Sequence, residues 1–163
     1  MAHDWRSAYL RQAKSDYALF LMLTEANAPL CHRLHYLQMA TEKMSKGLLT
    51  PPGGPRFARS HNALVNFMIV AKVRHDIREA SHFKSRTQFI AYIDSLIDTG
   101  RRIEDLSPEG DDHPNPEYPW EVQGRIVVPI EYAFANLDLN SPKMIKLLQF
   151  VHDCFSAMEA EGK

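Results

Sequence analysis

The stretch Leu30-Cys31-His32-Arg33-Leu34-His35-Tyr36-Leu37-Gln38-Met39-Ala40-Thr41-Glu42-Lys43-Met44-Ser45-Lys46-Gly47-Leu48 decides the fold class. Leu30, Leu34, Leu37, Thr41, Met44 and Leu48 recur at steps of three and four residues, which predicts a helix with one stripe turned to a core. Gln38, Glu42 and Lys43 fall on the opposite stripe, close to positions expected to be buried. Pro51-Pro52-Gly53-Gly54-Pro55 ends this helix, because three proline rings remove backbone donors and two glycines favour a turn. The chain reverses there, and Ser60 is placed to cap a third helix whose apolar positions are Leu64, Phe67, Met68 and Ala71.

Working outward, the pattern predicts five main helices. The first covers residues 4–24, with Trp5, Tyr9, Ala13, Tyr17, Phe20 and Leu21 on its apolar stripe. The second opens at Pro29, a residue tolerated in a first turn because its missing donor has no helical partner anyway. The third spans residues 61–80, and residues 81–85 break it. The fourth uses Phe89, Ile90, Ile93, Leu96, Ile97 and Ile103 and ends before Ser107-Pro108. Asn140-Ser141-Pro142 opens the fifth, marked by Ile145, Leu148, Phe155 and Met158. Residues 109–140 read as a long structured loop between the fourth and fifth helices, with Ile126-Val127-Val128-Pro129 an isolated extended segment. Loops of this length inside a domain are commonly functional or packed by their own side chains. Tyr118, Trp120, Tyr132 and Phe134 supply such packing, while Tyr118 and Trp120 are also candidates for stacking on a base.

A chain of 163 residues with 45% hydrophobic content is expected to form one domain, residues 1–163, with a real core. The formal net charge of −1 excludes a global basic field, so any polyanion site must be a local patch. There is no secretory signal and no apolar run near twenty residues, and the two cysteines are expected to stay reduced. These features give a cytoplasmic protein, with no membrane association, as the expectation.

The order of a Gln-x-Ala-x-Glu-Lys helix (Gln38, Ala40, Glu42, Lys43), a Gly/Pro loop, and Ser60-His61-x-x-Leu64 opening the next helix resembles the HEPN domain family. Family members often carry two glutamines where this chain has Gln38 and Met39. Asn115-Pro116-Glu117-Tyr118-Pro119-Trp120 is similar to the family's Arg-Tyr-Pro segment, with Glu117 where arginine is common. The resemblance implies an all-α, up-and-down bundle of about five helices that forms a homodimer. It also implies ligands among RNA, a nucleotide or a partner protein in a defence or stress setting. The family's chemistry is metal-independent RNA cleavage by an arginine followed four to six residues later by a histidine, which together hold the phosphate and move a proton.

Arg56 and His61 fit that spacing formally and are the weak catalytic candidates. About 1.6 such spacings arise by chance in a chain with this many arginines and histidines, and the pair flanks the start of the third helix, earlier than the family's catalytic pair. Arg78 to His82 is too short and Arg74 to His82 too long. The leading expectation is therefore a catalytically degenerate binding module. The alternative is a ribonuclease toxin held silent by a nucleotidyltransferase-like antitoxin. Lys43, Arg56, Arg59 and Arg74, with Lys46, His61 and Lys72 nearby, form a candidate phosphate-binding face. Gln38 and Glu42 read as a structural polar network. Cys31, His32 and His35, and His75 with His82, lack a second converging cluster, so neither a metal nor any other cofactor is expected.

Overall fold

The computed structural model describes residues 4–57, 62–107 and 113–160. Six helices carry it: α1 (Trp5–Glu25), α2 (Leu30–Leu49), α3 (Ala63–Ala71), α4 (His75–Ala80), α5 (Arg86–Glu104) and α6 (Pro142–Ala160). Between α5 and α6 lie β1 (Trp120–Val122), β2 (Arg125–Val127) and a 3-10 turn at Pro129–Glu131. The all-α bundle expected from the periodicity is the observed architecture.

The stripe of α2 behaves as its spacing requires. Leu34, Leu37, Thr41, Met44 and Leu48 are buried, and α2 packs along α1 and against α3 and α5. Phe67 of α3, Phe89 of α5 and Phe150 of α6 are fully buried and close the core from the other side. Gly100 permits the close approach of α5 to α3, since a Cβ there would lie 2.8 Å from Sδ of the buried Met68. No helix of the described residues is long and apolar enough to cross a membrane. Cys31 and Cys154 are both buried and unbridged.

Three expectations are corrected. The helix predicted over residues 61–80 is two helices, because α3 ends at Ala71 and α4 starts at His75. The stripe Leu64, Phe67, Met68 and Ala71 continues at 74 or 75 in an unbroken helix, whereas the buried residue is Ile77. An unbroken helix would turn Ile77 away from the core, so the chain bends at residues 72–74 and lays α4 on α6. Tight bonds from Val73 N to Val70 O (3.2 Å) and Arg74 N to Ala71 O (3.0 Å) close the bend.

The start of the third helix also differs. Ser60 lies outside the described residues, and α3 begins at Ala63 behind Asn62, which makes no side-chain capping bond. Glu104 of α5 takes that role: its Oε1 accepts from the backbone N–H of Leu64 at 2.5 Å and of Val65 at 3.2 Å.

The segment read as isolated and extended is half of a hairpin. Trp120 pairs with Val127 and Glu121 with Ile126 across a turn in which Gln123 and Gly124 both have positive φ, 51° and 74°. That is the geometry of a two-residue hairpin turn whose twist suits paired strands. From residue 113 onward the loop is structured, and its own Trp120, Phe134, Leu137 and Leu139 are buried. The Trp120 and Tyr132 rings meet edge to face at 4.9 Å.

Candidate functional site

Among the described residues, the cations proposed from the sequence do not form one open face. Lys43 Nζ lies 2.7 Å from Oδ2 of the buried Asp16, which ties α2 to α1. Lys46 pairs with Glu42 one turn earlier on the same helix. Arg56 places its guanidinium carbon 5.2 Å from the centroid of the Trp5 ring, a cation–π contact across the Gly/Pro loop. Arg59 and His61 lie outside the described residues, so the Arg56 and His61 pair has no geometry to report.

Gln38 is buried and donates from Nε2 to Glu42 Oε2 at 2.8 Å, within its own helix. The link between helices in this row comes from Lys43, not from Gln38 or Glu42. Trp120 is only 2% exposed and packs inside the loop, whereas Tyr118 is 56% exposed. Of the two stacking candidates, only Tyr118 presents its ring to a ligand. His35 sits half-buried with Nδ1 3.9 Å from Glu117, and His32 is exposed. Among the described residues no group of three or more histidine, cysteine or acidic side chains converges for a metal.

Arg74 has different company. The bend between α3 and α4 brings Lys72, Val73, Arg74, His75 and Arg78 to one pocket of about 200 Å³, and Arg86 at the start of α5 completes its wall. Among the described residues no carboxylate lines it. Two of the cations are fixed from outside: Lys72 Nζ lies 2.5 Å from Asp94 of α5, and Arg74 grips Asp76 with two nitrogens, the Nε bond being 3.0 Å. The Arg74 guanidinium holds the Asp76 carboxyl below the usual carboxylate range, so this pair stays charged at neutral pH. Arg78 is half-buried and Arg86 exposed, and neither has a carboxylate partner among the described residues. The positive end of α5 adds its dipole to the same wall, with Ser85 Oγ accepting from Gln88 N at 3.3 Å to fix that terminus.

The opposite side of α4 has the reverse character. There a cleft of about 620 Å³ against α6 is lined by Asp76, Glu79, His82, Gln149, His152, Asp153 and Ser156. Asp153 is buried and accepts from Gln149 Nε2 at 2.8 Å. Three carboxylates repel phosphate, so this larger space does not suit a polyanion. Comparison with protein-family models, curated proteins and solved structures finds no match for this chain.

The sequence pattern places Lys72 and Arg74 on a basic face; Arg78 enters it only through a spacing to His82 too short for the catalytic pair, and Arg86 does not enter it. The signal was present in Lys72-x-Arg74-His75-x-x-Arg78, a run of cations between two apolar helical stripes, followed by Arg86 at a helix start. It became legible only with the bend: in a continuous helix Arg74 and Arg78, one turn apart, would share a face, but Lys72 would point well away from both.

Proposed function

We propose that this chain is a catalytically degenerate, HEPN-like helical module that binds a phosphate-bearing ligand, RNA or a nucleotide, at the elbow between α3 and α4. The observation that carries this reading is the convergence of Lys72, Arg74, Arg78 and Arg86 on a pocket with no carboxylate in its wall among the described residues. Lys43 and Lys46 pair with Asp16 and Glu42, whereas Arg78 and Arg86 at the elbow have no carboxylate partner among the described residues, which supports placing the anion there. The Arg56 contact with Trp5 supports a binding rather than a cleaving protein, because a guanidinium resting on an indole is not aimed at a phosphate.

The module pairs with a second copy through α3, where Ile69 is 52% and Val70 41% exposed beside the half-buried Val65. Two apolar side chains standing together on a helix that is otherwise a core element support self-association over a solitary domain.

The test is a mixed RNA pool incubated with the purified protein. Binding that weakens steeply with salt, with no cleavage, is the expected result. Metal-independent cleavage that disappears in an Arg56→Ala, His61→Ala double variant would replace the binding module with a ribonuclease.

A further inference from the structure

We infer that the elbow pocket selects a terminal phosphate monoester, the 5′-phosphate of an RNA end or a nucleotide, over the internal diesters of a chain; this rests on the reading of the elbow as a phosphate site. The argument is one of charge. Lys72, Arg74, Arg78 and Arg86 bring four positive charges to the pocket wall. Asp94 and Asp76 neutralise the first two and hold them in place, which leaves the two guanidinium groups of Arg78 and Arg86. A monoester carries close to two negative charges at neutral pH, and an internal diester carries one. Two free guanidinium groups therefore match the monoester, each able to donate a forked pair of N–H bonds to its oxygens.

Size and surroundings agree. A pocket of about 200 Å³ has ample room for a phosphate group. Val73, which lines the pocket and is 67% exposed, offers an apolar surface for the attached sugar. His75 stands at the rim with Nδ1 3.5 Å from Glu79 and is not needed for the match.

The experiment compares one single-stranded RNA, labelled at its 3′ end, with either a 5′-phosphate or a 5′-hydroxyl, by fluorescence anisotropy with the full chain at low salt. The 5′-phosphate is expected to tighten binding about tenfold or more. An Arg78→Ala, Arg86→Ala variant, with its thermal melt shown to match the parent, is expected to bind both RNAs alike, and Arg78→Lys, Arg86→Lys to recover part of the difference. An Arg125→Ala variant on the distant hairpin is expected to keep the full difference. Uridine 5′-monophosphate competing as well as the phosphorylated RNA would assign the pocket to a free nucleotide, and much weaker competition to an RNA end; both support monoester selection. Equal binding of the two RNAs by the parent overturns monoester selection and leaves the phosphate-binding reading standing. Binding of neither RNA nor nucleotide overturns both, and preference for a phosphoserine peptide over every nucleotide ligand overturns the assignment to nucleic acid.

Discussion

Glu104, in the last turn of α5, accepts a hydrogen bond from the backbone N–H of Leu64 at 2.5 Å, so a buried carboxyl caps a helix forty residues away in sequence. The arrangement satisfies donors that would otherwise be orphaned at the start of α3, and it fixes α3 against α5 at the end opposite the elbow. It also puts an acid where its charge is poorly solvated.

Burial pushes the Glu104 carboxyl up to about 7, against the opposing pull of the bonds from Val65 and Leu64. Its ordinary value is 4.5, so between pH 4.5 and about 7 the folded chain holds a proton that the unfolded chain has lost. The contribution to stability is fully present below pH 4.5 and is lost as the pH rises through 7, by on the order of 3 kcal/mol. Glu104→Gln keeps an oxygen that accepts the same N–H groups and removes the titration. Urea unfolding at pH 5 and pH 8 should show the parent losing stability across that interval relative to the variant; parallel behaviour of the two would refute the assignment.

Lys43 and Asp16 form a polar link between α1 and α2, and Asp16 is only 6% exposed. Lys43→Met strands that carboxylate with only the bond from Gln12 Nε2 at 2.9 Å, and is expected to cost about 1–3 kcal/mol. Adding Asp16→Asn to the same chain should recover part of the loss, because an uncharged amide is cheaper to bury. Denaturant midpoints of parent, single and double variants check this, and an additive double variant would mean that the two groups do not interact.

The exposed Ile69 and Val70 on α3 lead to a second expectation about assembly. Ile69→Glu puts a charge in the paired surface, so sedimentation at micromolar concentration should give a dimer for the parent and a monomer for the variant. A monomeric parent removes the proposed pairing without touching the elbow.

The four long helices were legible because their apolar residues keep a helical period for four or five turns, as Leu34, Leu37, Thr41, Met44 and Leu48 do in α2. The bend at residues 72–74 was not, since neither glycine nor proline marks it; it is imposed by the need to bury Ile77. The hairpin escaped notice because Gln123 occupies a turn position where asparagine or aspartate is the usual sign. Glu104 as a cap depends on a contact between distant segments, which no local pattern encodes. The site followed the same rule: Lys72 and Arg74 were recognisable as cations near a helix, but their convergence with Arg78 and Arg86 exists only once the bend is made.

The central claim is the location of the ligand, and amide chemical-shift mapping tests it most directly. Titration of the isotopically labelled protein with a short 5′-phosphorylated RNA should move the amides of residues 72–78 and of Arg86 most, with little change along residues 149–156 of the acidic cleft. Shifts centred on that cleft or on the hairpin, with the elbow amides unmoved, would contradict the account.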